Sequence, residues 1–446
     1  MESGNNKASN HEVEPRSDHG TRDRWFVLLF LALDYFVLYL HRHLINYVQP
    51  PLQAELEIRD SSVADLQMAF ILAYGFSQLF VGYLGDRFHR RTVLLWSLGA
   101  SVLSLAGMGF AGSFAELIVL RVILGVAQSA SVPAIASVMS DCFTARTRST
   151  AVGVYLISQQ MAMVVAGKYG GKIADIPTWT LPDVLGGGPI EVTGWRMSMF
   201  IFSAVGAAVL LSMFLFLREP KRTERQAGRG LGVEGASLRR TASEILRVRS
   251  YIILAAVFVL YCVLSNAREW WLPRYFHSAL GMNLEEAGSF ATGYVYWSTI
   301  AGLFAGGMWA DRWARRLRAG RLSVQTIGLA LFVPSLVVLG TATSKPLLVV
   351  AMVALGFGNG LYLTNLWTTT FEIVDPAARS TAVGFLNVVA MLAAPTSTVI
   401  GKSIESGSFG LGQAFTGLSV AAALAVLLLL LNIFVFLRHD YRGPLK

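Results

Sequence analysis

Twelve stretches of about twenty mostly apolar residues recur along the chain, and they constrain the fold more than any other feature. A helix rises 1.5 Å per residue, so about 20 residues cross about 30 Å of hydrocarbon. Because 54% of the residues are hydrophobic and 15% are charged, the 446-residue chain is too apolar for a soluble protein. The sequence therefore predicts an all-α membrane protein. The twelve predicted transmembrane helices are 25–47, 62–84, 92–111, 115–139, 150–172, 196–217, 251–275, 287–310, 323–342, 346–370, 381–403 and 411–437.

Lysines and arginines predict the orientation, since short cytoplasmic loops carry an excess of them. With the N-terminus inside, 27 of the 37 basic residues fall in the tails and in the loops of one side. We therefore expect both termini to be cytoplasmic, in the cell (inner) membrane. The net charge of +9 then follows from topology. It is weak evidence for nucleic-acid binding, and no nucleic-acid partner is expected.

A basic, glycine-rich linker after the sixth predicted span divides the twelve spans into six and six. Such a composition is typical of a domain boundary. The expected domains are a disordered cytoplasmic N-terminal tail (1–24), an N-terminal six-helix bundle (25–220), a cytoplasmic linker (221–250), a C-terminal six-helix bundle (251–437) and a cytoplasmic C-terminal tail (438–446).

Three segments of the first half recur in the second half at nearly constant offsets of 225 or 231 residues. Repetition at a fixed offset indicates that the two halves are parallel copies of one unit. The pairs are "GYLGDRFHRR" (82–91) with "GMWADRWARR" (307–316), "LGVAQ" (124–128) with "LGFGN" (355–359), and "RSTAVG" at 148–153 and again at 379–384.

On these features the chain resembles the major facilitator superfamily. The loop between the second and third helices of that family runs Gly, two variable residues, a small residue, Asp-Arg, two variable residues and Arg-Arg, as residues 82–91 do. The resemblance covers nearly the whole chain apart from the N-terminal tail and the linker. It implies two pseudo-symmetric six-helix bundles around a central cavity, in a monomer surrounded by membrane lipids. The bundles would rock between outward-open and inward-open states.

The repeated loops supply candidate gating residues. Asp86 can accept hydrogen bonds from helix N-terminal amides or pair with Arg148 at the start of the fifth span. The alternative is that the loop arginines only anchor the loop to anionic lipid headgroups. The predicted gating residues are Asp86, Arg87, Arg91, Arg148, Asp311, Arg312 and Arg379.

Ionisable residues inside the spans indicate a substrate site, because a charge at bilayer depth costs about 2.5 kcal/mol or more without a polar cavity or a partner. By helical rise, Arg42 lies about 25 Å along the first span and Arg121 about 9 Å from the outer end of the fourth, at similar depth. Arginine suits carboxylate or phosphate, so we expect an anion clamp. Alternatively, Arg121 pairs internally with Glu116 or a helix-end carbonyl, or Arg42 extends outward. The other ionisable candidates are Asp34, His41, Lys168, Arg268 and Glu269.

Polar side chains in the spans add candidate substrate ligands. Amides and phenols can select substrate hydroxyl groups by hydrogen bonding, but they equally join helix to helix in membranes. These candidates are Tyr39, Gln128, Gln159, Asn266 and Asn365.

A finer resemblance concerns "YLHRHLIN" (39–46), which looks like the first helix of the organic-anion branches: anion/cation symporters, organophosphate antiporters and Spinster-like transporters. Arg42 occupies their arginine position. Proton-coupled members commonly have an Asp before this Arg and a Glu in the fourth helix, where this chain has His41 and Gln128. Three possibilities stay open: His41 titrates, Asp34 takes the role, or transport is uncoupled or an exchange.

The sequence thus predicts a secondary active transporter of a small organic anion, working by alternating access, with protons as one candidate coupling ion. The runner-up is a Spinster-like carrier of lysophospholipid or sphingolipid. A drug efflux permease and a non-transporting receptor-like or scaffold protein are less favoured. The sequence contains no Walker loop, no metal-spaced His/Cys cluster and no nucleophile elbow, so we expect neither an enzyme nor a cofactor or metal.

Overall fold

The computed structural model describes residues 21–85, 89–143, 145–182, 190–217, 243–375 and 378–441. Long helices dominate these residues, and each of the twelve predicted spans coincides, to within one residue at its end, with part of one helix or of one run of consecutive helical segments. The all-α prediction is confirmed.

Within its described residues, the first half contains nine α-helices and two short helical turns of other types. They are α1 (Thr21–His43), a 3-10 turn (Leu44–Tyr47), α2 (Gln49–Leu56), α3 (Asp60–Gly85), α4 (Arg90–Phe110), α5 (Phe114–Ser129), α6 (Ser131–Cys142), α7 (Ala145–Val165), a π turn (Ala166–Gly170), α8 (Gly171–Ala174) and α9 (Gly194–Phe216).

The second half repeats this organisation with longer, less interrupted helices. They are α10 (Arg249–Leu280), α11 (Leu284–Ala314), α12 (Gly320–Thr341), α13 (Lys345–Ile373), α14 (Arg379–Ala390), a 3-10 turn (Met391–Ala393), α15 (Thr396–Glu405), α16 (Leu411–Leu431), a π turn (Asn432–Phe436) and α17 (Leu437–Asp440).

Nine helical segments among the described residues are long and apolar enough to cross a membrane. The predicted spans 62–84, 150–172 and 287–310 are helical but fall outside this set. That these three also cross the bilayer stays a prediction.

A β-hairpin precedes α9 and was not predicted. Its strands, β1 (Thr178–Leu181) and β2 (Ile190–Thr193), are antiparallel, with Thr178 opposite Thr193. We call this end of the molecule the hairpin side. The opposite end, where α1 begins and α17 ends, is the terminus side.

The two halves contact each other closely on the hairpin side. There α3 packs against α15, and α11 packs against α7 and α8. A side chain on Gly288 of α11 would overlap the carbonyl oxygen of Gly167. Glycine at both positions therefore allows the backbones of the two halves to approach directly.

Candidate functional site

A cavity of about 470 Å³ lies between the two halves. Its walls come from α1, α3 and α7 of the first half and from α10, α11, α13 and α14 of the second. Apolar side chains such as Phe258, Leu303 and Trp367 form part of the wall. Its polar lining includes Tyr39, Arg42, His43, Gln159, Asn266 and Glu269.

Arg42 is the guanidinium that the first half presents to this cavity. Its charged carbon lies 4.6 Å from the ring centroids of Tyr39 and Tyr74 and 4.8 Å from that of Phe70. Cation–π contacts of this kind are worth about 0.5–2 kcal/mol each and hold the cation away from water. Nε donates to Gln128 Oε1 at 3.2 Å, and the two Nη groups form an edge that suits an oxyanion.

Gln128 lies behind Arg42 and is 1% exposed. Its amide nitrogen donates to the Leu38 carbonyl and to Ser101 Oγ, both at 3.0 Å. These bonds fix the amide oxygen that accepts from Arg42. The expected place of Gln128 in the cavity wall is therefore corrected: it positions Arg42 from within the first half.

Arg121 is also placed differently from the expected clamp. It is fully buried, and its guanidinium donates to the Leu66 carbonyl at 3.1 Å, to the Arg42 carbonyl at 3.0 Å and to Gln67 Oε1 at 2.8 Å. Protein acceptors thus occupy all three of its nitrogens. The internal pairing considered from the sequence is observed, but with these acceptors and not with Glu116.

The two candidate proton carriers do not line the cavity among the described residues. His41 is 1% exposed, with Nε2 at 3.1 Å from the Phe202 carbonyl and Nδ1 at 3.2 Å from Ser101 Oγ. Asp34 is fully buried, and neither of its carboxyl oxygens has a hydrogen-bond partner in the described part of the chain. Both side chains point into the first half.

Of the other predicted ligands, Tyr39, Gln159 and Asn266 line the cavity. Asn365 does not, because its amide donates to the carbonyls of Gly306 and Leu361 and so joins α13 to α11. Sequence reasoning considered both asparagines of α13 and kept Asn365. Asn359, six residues earlier, is the one that lines the cavity, and it accepts from Tyr261 Oη at 2.8 Å.

The hairpin end of the cavity, which we call the roof, brings Glu269 of α10 close to His43 of α1 and so joins the two halves. Glu269 Oε1 accepts from Arg268 Nη2 at 2.9 Å, and Glu269 Oε2 lies 3.9 Å from His43 Nδ1. The sequence marked Arg268 and Glu269 only as ionisable residues within a span. It gave His43 no role, although His43 follows Arg42 directly.

Beyond the roof, a set of polar contacts between the halves closes the hairpin side, and we call it the hairpin-side seal. Asp60 accepts from Arg274, Asp65 from Thr398 and Glu405 from Ser61. Arg274 also contacts Gln53. Asp175 accepts from the backbone amides of Leu284 at 2.8 Å and Glu285 at 2.7 Å, at the start of α11. The described contacts therefore separate the cavity from the hairpin side.

The predicted gating residues lie on the terminus side, and the structure describes only some of them. Asp86 and Arg87 fall outside the described residues, as does the side chain of Arg148. Arg91 donates to the Phe214 carbonyl at 2.6 Å, Arg379 to the Phe371 carbonyl at 2.8 Å, and Arg312 is exposed. Asp311 pairs with Arg321 at 2.8 Å, an arginine that was not predicted. Among the described contacts, Asp311 does not pair with Arg379, the arginine that begins the second "RSTAVG" segment.

Comparison with known proteins adds independent findings. A family model described as Major Facilitator Superfamily matches residues 29–398. The probable sulfoacetate transporter of Cupriavidus necator is 28% identical over 419 residues, covering 89% of this chain and 91% of that protein. The cis,cis-muconate transport protein of Acinetobacter baylyi is 25% identical over 403 residues, covering 88% and 90%.

Solved structures show the likeness of the fold. A bacterial homologue of the human lysosomal transporter Spinster, in an inward-facing and occupied conformation, superposes with a TM-score of 0.78. The likeness covers 96% of this chain and 100% of that one at 20% identity. At this identity the likeness shows a shared fold and nothing finer.

Proposed function

Because the chain belongs to the Major Facilitator Superfamily and is an integral multi-pass membrane transporter, not an enzyme, we propose that it moves a small organic dianion by alternating access. The observation that carries this proposal is Arg42, held by aromatic rings at the wall of a cavity between the two halves. Arg42 bonds to Gln128 but has no ion-pair partner in the described part of the chain, and a guanidinium inside a span is costly unless a ligand anion balances its charge.

The charge of the roof supports two acidic groups in the substrate. Arg42, Arg121 and Arg268 all lie close enough to His43 to act on it electrostatically, and among the described residues Glu269 is the carboxylate that contacts Arg268 and His43. With His43 neutral, these four groups carry a net charge of about +2; Arg42 and Glu269 line the cavity and the other two arginines lie behind its wall, so the surplus positive charge favours an anionic ligand. Sulfoacetate has a carboxylate and a sulfonate, and muconate has two carboxylates; the names of two relatives thus fit the same charge.

Both halves would contact the substrate. Tyr39 and Gln159 line the cavity from the first half, and Asn266 and Asn359 line it from the second. A ligand bonded to both sets favours approach of the halves around it, which is how binding energy can drive a conformational change. We take residues 25–220 and 251–437 as the moving bundles, joined by the linker 221–250.

We assign the terminus side to the cytoplasm because most of the lysines and arginines fall there. On that assignment the hairpin-side seal closes the outer end of the cavity, which supports an inward-facing or an occluded state. The predicted gate of Asp86, Arg87 and Arg148 would then close on the cytoplasmic side after the substrate has left.

A lipid substrate is the second candidate, and one observation favours it. Phe258, Leu303, Trp367 and Met391 form an apolar wall of the cavity that could hold an acyl chain. A lysophospholipid would place its phosphate at Arg42 and its chain along this wall. Both functions require Arg42, so only the identity of the ligand that binds can distinguish them.

A ligand screen on the purified protein tests the proposal. A ligand that binds the folded state raises the melting temperature, so sulfoacetate, cis,cis-muconate, a sugar acid, a phosphate ester, acetate and a lysophospholipid are compared at equal concentration. We expect dianions to raise it by several degrees more than acetate. Stabilisation by the lysophospholipid alone would replace the dianion proposal with the lipid one.

A further inference from the structure

A second hollow, a groove of about 570 Å³, lies between α11 and α13 and shares no lining residue with the central cavity among the described residues. The groove opens on the outer surface of the bundle, since Tyr294 is 43% and Trp297 58% exposed. A ligand therefore reaches it from the surroundings and not through the central cavity. The lining residues that determine its chemistry are Glu286, Phe290, Gly293, Tyr294, Trp297 and Lys345.

The groove lies on a face of the bundle that meets lipid. α13 is long and apolar enough to cross a membrane, and α11 packs along it. Val353 of α13 lines the groove and is 42% exposed, and Val350, one turn earlier, is 63% exposed. Exposed apolar patches of this kind mark surfaces that contact a membrane or a partner. In a membrane transporter, the acyl chains of lipids are the surroundings that such a patch meets.

Two side chains of opposite charge lie at the hairpin end of the groove. Lys345 is the first residue of α13, and Glu286 lies in the first turn of α11. Both are exposed, and neither has an ion-pair partner in the described part of the chain. The ammonium of Lys345 suits a phosphate, and the carboxylate of Glu286 suits a primary ammonium, because both contacts are charge-assisted hydrogen bonds. The two charges are therefore complementary to a zwitterionic headgroup.

The apolar part of the groove has the depth of one leaflet. At 1.5 Å per residue, Trp297 lies about 16 Å further along α11 than Glu286. One leaflet contributes about 15 Å, half of the roughly 30 Å hydrocarbon core. Between the two residues, Gly293 leaves open space, because a carbon added to it would meet no atom within 4 Å. The groove thus offers charged partners to a headgroup and an aromatic channel to one acyl chain.

We propose that this groove binds phosphatidylethanolamine from the leaflet on the hairpin side. Its phosphate contacts Lys345, its ammonium contacts Glu286, and one acyl chain lies along Gly293 and Trp297. The lipid is a ligand of the bundle surface and not the transported substrate, so the inference goes beyond the proposed function. The carboxylate of Glu286 also explains the choice of headgroup. It repels the net charge of phosphatidylglycerol, and the quaternary ammonium of phosphatidylcholine has no N–H to donate to it.

Native mass spectrometry of the full-length protein tests the inference, with equal amounts of phosphatidylethanolamine, phosphatidylcholine and phosphatidylglycerol added in detergent. We expect the wild type to retain phosphatidylethanolamine preferentially. Glu286→Gln and Lys345→Gln each remove one exposed charged contact, so retention of this lipid should fall about fivefold. Glu285→Gln and Lys402→Gln remove the same charges on the hairpin side but outside the groove. They are the matched controls and should retain the lipid like the wild type.

Two further variants test the two parts of the groove separately. Glu286→Lys leaves two cations at the hairpin end, so the preference should change to phosphatidylglycerol. Gly293→Phe fills the channel without changing the charge, and it should also lower the retention of phosphatidylethanolamine.

Three outcomes would overturn the inference. They are equal retention of the three lipids by the wild type, wild-type retention in both Glu286→Gln and Lys345→Gln, and loss of phosphatidylethanolamine from Arg42→Gln. The last result would place the lipid in the central cavity, where it would support the lipid substrate instead. Failure of every organic dianion to bind is a separate result, because it would reject the proposed function and leave the lipid groove unaffected.

Discussion

Arg274 Nη2 lies 2.5 Å from Asp60 Oδ1, an ion pair that joins α10 of the second half to the first turn of α3. The two side chains are 20% and 17% exposed, so they are partly protected from water and salt. Both belong to the hairpin-side seal. The proposed alternating-access mechanism requires this pair to form in one state and to break in the other.

Removal of the Asp60 charge should therefore shift the protein toward opening on the hairpin side. A pair of this exposure contributes about 1 kcal/mol, so Asp60→Asn should change the population of open molecules roughly fivefold. The probe is Ser397→Cys, which is 1% exposed here, in a Cys142→Ser, Cys262→Ser background. Its labelling by an impermeant thiol reagent from the hairpin side should rise about fivefold. If the Asp60→Asn variant were labelled at the same rate as the protein that keeps Asp60, the role of the ion pair would be contradicted.

The close approach of Gly167 and Gly288 gives a second prediction. Gly288→Ala places a methyl group where the Gly167 carbonyl oxygen lies, so the hairpin side cannot close and transport should fall about tenfold or more. Gly293→Ala, on the same helix with no atom within 4 Å of the added carbon, is the matched control and should transport like the wild type. Initial uptake rates in liposomes are compared. Equal rates for the two variants would show that closure does not require this contact.

The length of the apolar runs was sufficient to predict most helices, because burial in lipid depends on a run of about twenty residues and not on distant partners. The predicted span 92–111 and the observed Arg90–Phe110 differ by one or two residues at each end. The hairpin was missed because each strand has only four residues and no alternating apolar pattern of useful length.

The candidate site was harder to predict, since a buried arginine looks the same in sequence whether its acceptors are a ligand or the protein. Arg42 and Arg121 were both found as charges in apolar runs. Only packing shows that Arg121 meets the Leu66 carbonyl and Gln67, which lie more than fifty positions away. The same limit applies to Asn359 and Asn365, whose orientation depends on the rotation of α13.

The different surroundings of the two arginines predict different defects. Arg121→Lys removes the guanidinium that reaches three acceptors. Each acceptor left without a donor costs about 1–3 kcal/mol, so the melting temperature without ligand should fall by several degrees. Arg42→Lys keeps the charge at the cavity and should melt near the wild type but bind anions more weakly. Thermal unfolding without ligand separates the two. Equal melting temperatures would contradict the structural role of Arg121.

Glu55 predicts a pH-dependent stability on the hairpin side, outside the spans. Burial raises the pKa of its carboxyl group, but hydrogen bonds from Thr193, Arg196 and Trp195 outweigh burial and hold the pKa below its ordinary value. A carboxyl group whose pKa is lowered by folding stabilises the folded state at pH values above its unfolded pKa, near 4.3. This stabilisation is lost as the pH falls through the folded pKa. Glu55→Gln should therefore melt lower than the wild type at neutral pH, and the difference should shrink below about pH 4. A constant difference would exclude the linkage.

Binding of an organic dianion to the Arg42 variants tests the central claim most directly. The dianion that stabilises the wild type best is titrated calorimetrically into the wild type, Arg42→Lys and Arg42→Gln, each checked for an unchanged melting temperature without ligand. A charge-assisted, two-point contact is worth about 3 kcal/mol, so Arg42→Gln should bind about a hundredfold more weakly, with Arg42→Lys between the two. A Kd for Arg42→Gln equal to that of the wild type would contradict the account.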